Sequence, residues 1–310
     1  MNEQLYLGIE IGGTKLQVVL GNDHAAILDR RRFAVDPGAG SAGIQNQIAQ
    51  ALADFLRHHR ISGVGIGFGG PVDWRTGKIC RSYHVEGWTG FAIGSWMEDI
   101  ARVPVRVDND ANTAALAEAL RGAGDGHDPV FYITLGSGVG GGLVSGGAIW
   151  HGAIPGESEI GHLRLDKGGT IVEARCSGWS VDKRIRAEIA AQPDSKLAQL
   201  VGATAGSEAK HMRKAVESND PLAIRILEET ADDLAFAISH VTHLMHPEVI
   251  VLGGGLSLTG EALRQRVERN VGKYLMDAFL PGPKISLASL GEDVVPVGAL
   301  LLAKQSKDSE

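Results

Sequence analysis

Apolar runs separated by short polar or Gly-rich turns open the chain and predict strands. Leu5 to Ile11 and Leu16 to Leu20 are two such runs. Gly12-Gly13-Thr14-Lys15 stands between them, and a Gly-bearing connection of about four residues suits a hairpin. Residues 25–35 predict a third strand. Apolar residues then recur at 44, 48, 51, 52, 55 and 56, a period that indicates a helix over 44–57.

The same patterning continues to the end of the chain. It predicts strands at 64–68, 103–107, 130–135, 139–145, 248–252 and 284–288. It predicts helices at 93–101, 111–120, 178–191, 206–217, 221–245, 260–279 and 296–304. Residues 122–129 are rich in turn formers and indicate a break near a domain boundary. Each half opens with two strands joined by a Gly-rich turn, so we expect two α/β halves with a ligand cleft between them.

The amino-acid composition favours a globular protein and disfavours binding to nucleic acid or a membrane. The 310 residues are 44% hydrophobic and 22% charged, which suits a packed globular core. A net charge of -7 gives no basic surface for nucleic acid or an anionic membrane, and we interpret Arg30-Arg31-Arg32 as a solvated strand end. No apolar run approaches the roughly 20 residues that span a bilayer, and the start has no features of a signal peptide. Because Cys80 and Cys176 indicate no disulfide framework, we expect a cytoplasmic location.

Glycines cluster at 63–70, 136–147 and 253–255, each beside an apolar run. Turns of this kind present backbone N–H groups to phosphate oxygens without a Cβ in the way. Gly12-Gly13-Thr14-Lys15 adds a hydroxyl and an ammonium, and Gly136-Ser137-Gly138 adds a hydroxyl. A structural turn would explain either one alone, and neither has P-loop spacing. Several together favour a phosphate-binding protein.

Four Asx residues fall within Asp108-Asn109-Asp110-Ala111-Asn112, at a predicted strand-to-helix junction. One of them would serve as a helix N-cap. Four exceed what capping needs, so a carboxylate here is also a candidate acceptor for the proton of an attacking hydroxyl.

Six segments resemble, in order, the motifs of the ROK family, which groups bacterial sugar kinases with related repressors. They are Glu10–Lys15, Gly65–Asp73, Val107–Asn112, Ile133–Gly142, Glu159–His162 and Val249–Gly255. The resemblance implies an α/β, actin-like, hexokinase-type fold with two domains around a cleft where ATP and sugar meet. It implies a first domain of residues 1–120, to which about 296–310 return, and a second of 121–295.

The resemblance also implies a role for individual residues. Asp110 would be the catalytic base. The sugar would be held by Asn109, Glu159, His162, Glu173 and Gly70. The first phosphate turn would use Gly12, Gly13, Thr14 and Lys15, the second Gly136, Ser137 and Gly138, and the adenosine would lie near Gly254 and Gly255. Mg²⁺ would bridge the phosphates, with Glu10 as a candidate ligand where the family usually has Asp.

The sequence departs from the family at residues 159–176. Many members follow Glu-x-Gly-His with a Cys-rich run that holds structural zinc with the His, and that run is absent here. His162 and Cys176 remain, and Asp166 and Glu173 are poor substitutes in a structural zinc site. We therefore predict no zinc, a sugar-facing loop, and a shortened turn at 166–169.

Other aromatic and His residues are weaker candidates. Trp88 and Trp150 are the tryptophans most suited to facing a sugar. His240, His243 and His246 have helical spacing, but a helix would end before Pro247, and without further ligands we interpret them as surface or partly buried residues.

The sequence thus predicts ATP-dependent phosphorylation of a hexose at the 6-hydroxyl. Two alternatives stay open: a non-catalytic sugar-binding sensor or regulator of the same family, and a kinase that uses polyphosphate. DNA binding is disfavoured because family repressors carry an N-terminal helix-turn-helix domain and the first phosphate turn begins here by residue 12. The partner is a small-molecule sugar, with neither nucleic acid nor membrane, and the resemblance implies a homodimer.

Overall fold

The secondary structure was obtained from a computed structural model that describes residues 4–82, 85–156, 158–203 and 205–305. The strands are β1 (Leu5–Ile11), β2 (Lys15–Asn22), β3 (Ile27–Ala34), β4 (Ile61–Phe68), β5 (Val72–Asp73), β6 (Lys78–Ile79), β7 (Val105–Asn109), β8 (Val130–Leu135), β9 (Val139–Ser145), β10 (Ala148–Ile149), β11 (Val249–Gly253) and β12 (Lys284–Leu287). The α-helices are α1 (Gly40–His58), α2 (Ile93–Ala101), α3 (Asp110–Arg121), α4 (Val172–Cys176), α5 (Gly178–Ala191), α6 (Lys196–Val201), α7 (Met212–Glu217), α8 (Pro221–Met245), α9 (Glu261–Val271) and α10 (Val294–Gln305).

These elements divide into two units. The first comprises Met1–Arg121, Gly142–Glu157 and Glu292–Glu310, and the second comprises Gly122–Gly141 and Ser158–Gly291. Within the described residues, no helix combines the length and the apolar character that a membrane crossing needs.

The first unit is built on a five-stranded sheet with the order β3-β2-β1-β4-β7. β1, β2 and β3 pair antiparallel, as the short Gly-bearing connection predicts. β4 and β7 then add in parallel. Because β1, β4 and β7 run in the same direction, their C-terminal ends lie at one edge of the sheet, where ligands of α/β proteins bind.

Helix α1 covers this sheet with the face that its sequence pattern predicts. Ile44, Ile48, Leu52 and Phe55 are buried in the same apolar core as the inward side chains of the sheet. The helical period at residues 44–56 is therefore the pattern of a helix that buries one stripe.

Helix α10 packs on the sheet so closely that two positions exclude any side chain. A methyl group on Gly65 of β4 would overlap the carbonyl oxygen of Ala299, and one on Gly298 would overlap the carbonyl oxygen of Thr113. These two glycines bring the last helix onto β4 and α3 within the first unit.

The second sheet has the order β10-β9-β8-β11-β12. β8, β11 and β12 are parallel, and β10 pairs antiparallel with the end of β9. The long helix α8 starts at Pro221, capped by Asp220, and ends where His246 adopts a left-handed conformation (φ 47°). The predicted helix end before Pro247 is thereby confirmed.

Most predicted elements are confirmed, and six match at both ends: 5–11, 93–101, 130–135, 139–145, 178–191 and 221–245. The helix predicted over 260–279 is wrong beyond Val271, where 3₁₀ turns at Gly272–Tyr274 and Asp277–Phe279 take over. The helix predicted over 206–217 is α-helical only in α7, after a 3₁₀ turn at Glu208–His211. The short helices α4 and α6 were not predicted, because each is too brief to show a period.

The interpretation of Arg30-Arg31-Arg32 as a strand end is wrong. These residues lie in the middle of β3, where Arg30 Nη1 and Arg32 Nε donate to Gln17 Oε1 at 3.1 and 3.0 Å. Arg30 also pairs with Asp293 at 2.6 Å. The cluster therefore joins β2 to the segment that leads into α10.

The close contact of Gly65 with α10 generates a stability prediction. Gly65→Ala should lower the free energy of unfolding by about 1–3 kcal/mol or more, because backbone on both sides must move to accept the methyl group. Thermal unfolding would measure the change. Gly272→Ala is the control, since its added carbon would meet nothing closer than a Leu280 methyl at 3.6 Å. Equal melting temperatures for Gly65→Ala and wild type would contradict the packing.

Candidate active site

The junction of β7 and α3 is organised by the side chain of Asn109. Its Oδ1 accepts hydrogen bonds from the backbone N–H groups of Ala111 at 2.7 Å and Asn112 at 3.3 Å. Asn109 is thus the N-cap of α3. Its Nδ2 donates to the carbonyl oxygen of Gly70 at 3.2 Å. These three bonds use both lone pairs of Oδ1 and one N–H, which leaves the second N–H of the amide for a ligand.

Asp108 is a buried carboxylate with both oxygens engaged. Its Oδ1 accepts from the backbone N–H of Asn109 at 2.8 Å and from Asn112 Nδ2 at 2.9 Å. Its Oδ2 lies 2.6 Å from His151 Nε2. The four Asx residues therefore have different tasks: Asn109 caps the helix, Asp108 and Asn112 brace each other, and Asp110 begins the helix.

Asp110 stands at the meeting point of three elements. A methyl group on Gly69, directly after β4, would lie 3.4 Å from Asp110 Oδ2, 3.3 Å from the carbonyl oxygen of Ile11 and 3.6 Å from Gly12 Cα. The Asp110 carboxylate thus lies close to the first Gly-rich turn, and the N-terminus of α3 favours a negative charge there.

The first Gly-rich turn is closed by one backbone hydrogen bond, from Gly12 N to the carbonyl oxygen of Lys15 at 2.9 Å. Thr14 at its tip is exposed and Lys15 is half-buried. Lys15 Nζ lies 3.2 Å from Glu10 Oε1. The turn therefore brings an ammonium, a hydroxyl and two glycines together beside Asp110.

Glu10 is held from two sides below this turn. In addition to Lys15, Gln17 Nε2 donates to Glu10 Oε2 at 2.6 Å. Burial raises the pKa of Glu10 above its ordinary 4.5, although the charge of Lys15 and the bond from Gln17 act in the opposite direction. The magnesium role of Glu10 stays a prediction.

The second Gly-rich turn is held by residues of the second unit. Gly136 N donates to the carbonyl oxygen of Gly138 at 3.0 Å, and Gly178 N donates to that of Gly136 at 2.7 Å. Glu173 Oε2 accepts from the backbone N–H of Val139 at 3.0 Å. The Glu173 carboxylate is thus hydrogen-bonded to the turn, and its sugar contact stays a prediction. Ser137 is exposed at the tip.

Gly254 and Gly255, which follow β11, have different surroundings. Gly254 has φ +80°, and an added Cβ would come within 2.6 Å of the backbone of Leu135. Gly255 has open space where its Cβ would stand. Gly254 therefore fits β11 against β8, and Gly255 leaves its surface accessible at the end of the strand.

Within residues 159–176, a 3₁₀ turn at Ile160–His162 leads into a short hairpin, and α4 follows. Arg164 and Ile171 form a β-bridge, and Leu165 N donates to the carbonyl oxygen of Thr170 at 2.8 Å. The side chain and the backbone N–H of Thr170 both donate to Asp166, and these hydrogen bonds lower the pKa of Asp166. The predicted shortened turn at 166–169 is confirmed.

His162 and Cys176, the two residues of this stretch that are common zinc ligands, lie in different environments. His162 is exposed, and its Nδ1 lies 3.4 Å from Glu159 Oε2. Cys176 is buried, its thiol faces the carbonyl oxygen of Thr230 at 3.6 Å, and burial raises its pKa. No group of three or more His, Cys, Asp or Glu side chains arranged for a metal is found among the residues described.

Of the remaining candidates, Trp88 was wrongly predicted to face a sugar. It is fully buried and packs edge-on against Phe68 and Phe91. Trp150 is 47% exposed. His243 and His246 are exposed and stack on Phe279, which confirms their interpretation as surface residues.

Each unit gathers its own share of the predicted residues. The first unit brings together Gly12, Gly13, Gly70, Asn109 and Asp110. The second brings Gly136 and Gly138 to Glu173. Asp108, His151, Trp74 and Gln17 support the first group and were not predicted as site residues, because an isolated His or Trp has no sequence signal for its partner.

The buried Glu10 generates a prediction for stability against pH. Since its folded pKa is raised, the unfolded chain loses this proton first, and stability falls as pH rises from 4.5 through the raised value. Glu10→Gln lacks this loss. Its melting temperature should exceed that of wild type at pH 7, and the difference should shrink toward pH 4. The exposed Glu98→Gln is the control, and a difference independent of pH would refute the assignment.

The chain is similar in sequence to known proteins over nearly its whole length. A sequence profile of the ROK family matches residues 6–306. A glucokinase of Halalkalibacterium halodurans is 32% identical over 323 aligned positions, covering 100% of this chain and 98% of the relative.

Solved structures of ROK family proteins are also similar to this chain. A ROK family glucokinase from Streptomyces griseus, in complex with glucose and AMPPNP, is 30% identical with a TM-score of 0.83, covering 97% of this chain and 99% of that one. A ROK hexokinase from Thermus thermophilus is 27% identical with a TM-score of 0.80, covering 99% and 100%. These similarities confirm the predicted α/β, actin-like fold, and the chain belongs to the ROK family.

Proposed function

We propose that this protein transfers the γ-phosphoryl group of ATP to the 6-hydroxyl of a hexose. The observation that carries the proposal is the position of Asp110: a carboxylate at the first residue of a helix, beside a Gly-rich turn that bears Lys15. The similar glucokinases support the choice of a hexose.

Asp110 would act as the general base. Its carboxylate takes the proton of the sugar hydroxyl while the hydroxyl oxygen attacks the γ-phosphorus. The bond between the γ-phosphorus and the bridging oxygen breaks, and ADP leaves with that oxygen. The chemistry depends mainly on positioning, and a carboxylate fixed at the start of a helix meets that need better than one on a flexible loop.

The first Gly-rich turn would hold the phosphates. Gly12 and Gly13 present backbone N–H groups with no side chain to obstruct an approaching oxygen. Thr14 adds a hydroxyl and Lys15 adds a positive charge. The pairing of Lys15 with Glu10 keeps the ammonium close to the turn before nucleotide binds.

Glu10 fits a supporting role toward Mg²⁺. Mg²⁺ is commonly bound by one or two carboxylates together with substrate phosphates, and Glu10 is a carboxylate at the base of the phosphate turn. When bound, the ion would neutralise charge on the phosphates. Glu10 itself would hold the ion or its water, and Gln17 would keep the carboxylate oriented.

The resemblance to ROK kinases also assigns nucleotide and sugar contacts to residues of the second unit. The turn at Gly136, Ser137 and Gly138 is held open by Glu173 and offers a second set of backbone N–H groups. The surface at Gly254 and Gly255 suits the flat adenosine. Glu159 and His162 are exposed side chains that would bind sugar hydroxyls, and Asn109 and Gly70 would do so from the first unit. A homodimer and a cytoplasmic location also stay proposals.

The role of Asp110 is testable by substitution. Asp110→Asn should lower kcat by about 10²–10⁴-fold, because the amide cannot accept the hydroxyl proton, while sugar binding stays measurable by calorimetry. The control is Asp99→Asn, a surface aspartate of the first unit that is 79% exposed. Near-normal turnover of Asp110→Asn would refute the assignment.

The donor and acceptor form a separate prediction. Purified protein with Mg²⁺ should release ADP from ATP in the presence of a hexose, and the phosphorus of the product should couple to the protons of carbon 6 in NMR. A panel of glucose, mannose, fructose, allose and N-acylated hexosamines identifies the acceptor.

Two results of that panel would favour other functions. Turnover with polyphosphate alone would identify a different donor. Hexose binding without turnover for any donor would identify a sugar sensor.

A further inference from the structure

A stack of side chains beside the proposed base has no part in the mechanism above. His151 Nε2 lies 2.6 Å from Asp108 Oδ2, and the imidazole stacks on the indole of Trp74, with ring centres 4.2 Å apart and planes at 15°. The side chains of His151 and Asp108 are only 14% and 5% exposed. All three residues belong to the first unit, although they come from distant parts of the sequence.

The contact constrains the protonation of the imidazole. An ionised carboxylate only accepts hydrogen bonds, so His151 Nε2 must carry a proton and donate it to Asp108. With the backbone N–H of Asn109 and the amide of Asn112, this donor completes the hydrogen bonding of Asp108 at both oxygens. Without it, one oxygen of a buried carboxylate would lose its partner, which is costly.

The ring of His151 is held in place by its surroundings. Trp74 covers one face. A methyl group on the buried Gly156 would lie 3.4 Å from both His151 Cβ and Trp74 Nε1, so the chain after His151 folds back onto the stack. The imidazole therefore has little freedom to turn away from Asp108.

The fixed orientation of Asp108 in turn affects the position of Asp110, the proposed base. Asp108 Oδ1 binds both the residue before Asp110 and the residue two positions after it. The carboxylate therefore braces the point at which the chain turns from β7 into α3, and the direction of the Asp110 side chain depends on that turn.

We propose that His151 is a positioning residue for Asp110 and acts through Asp108. The proposal rests on the proposed function, because it assigns Asp110 as the base. His151 contributes a hydrogen-bond donor that keeps Asp108 in one orientation, and Trp74 keeps the donor in line. Asn109 has separate anchors at Gly70 and in its N-cap bonds, so loss of His151 acts mainly on kcat and less on the KM of the sugar.

A pair of substitutions separates the donor from the stacked ring. His151→Phe keeps an aromatic ring against Trp74 but has no N–H for Asp108. His151→Gln loses the ring but keeps an amide donor of similar reach. We expect His151→Phe to lower kcat by about 10- to 100-fold, since small misplacements of a reacting group have effects of that size. His151→Gln should recover most of the lost rate.

The matched control is His243→Phe in the second unit. His243 also stacks on an aromatic ring, Phe279 at 5.6 Å, and its ring accepts a hydrogen bond from Met276 N. It should retain wild-type kcat. Thermal unfolding and calorimetric sugar binding of every variant show whether it is folded and still binds the acceptor.

A double substitution tests whether the pair acts as a unit. Asp108→Asn combined with His151→Phe should lower kcat no more than the more severe single change, because each breaks the same support. Multiplicative losses from the two changes would overturn the proposal.

Further outcomes distinguish this proposal from the proposed function. An active wild type with unchanged kcat in folded His151→Phe overturns the positioning role alone. A wild type that turns over no hexose with any donor overturns both. If His151→Phe does not fold, His151→Asn replaces it, because its shorter amide falls short of Asp108. A folded His151→Asn with wild-type kcat would equally overturn the role.

Discussion

The site depends on the junction at which β7 ends and α3 begins. A strand that stops and a helix that starts at the next residue leave backbone N–H groups without partners. Asn109 satisfies two of them with one oxygen, and Asp108 satisfies a third together with the side chain of Asn112. Because these two side chains carry out the capping, the start of α3 does not depend on the carboxylate of Asp110 for its cap.

Buried polar groups in the first unit are linked rather than scattered. Gln17 is completely buried; its amide donates to Glu10 on one side and its oxygen accepts from Arg30 and Arg32 on the other. Lys15 pairs with the same Glu10 at the phosphate turn. Burial raises the pKa of Glu10 despite these partners, and perturbed pKa values cluster at functional sites.

Residues 159–176 are ordered without the cysteine run that many ROK members have here. A tetrahedral zinc would hold the segment by its ligands. Here the backbone pairs with itself at Arg164 and Ile171, and Cys176 packs against α8 as an apolar side chain. Glu159 and His162 remain at the surface, ahead of the hairpin. Strand pairing and the burial of Cys176 therefore contribute to the order of this segment.

The sequence alone determined the α/β class, most helices and strands, and the Gly-rich turns, because periodicity and turn chemistry are local. It also indicated a carboxylate of the 108–112 segment, since four Asx residues at one junction exceed the needs of a cap, and the family resemblance assigned the role to Asp110. Tertiary structure decided which Asx residue does what, because Asp108 finds His151 43 positions away. It also decided that Trp88 is core and that Gln17 joins Glu10 to two arginines. Such pairings depend on how β5, β7, β10 and the first hairpin come together in space, and no spacing along the chain encodes them.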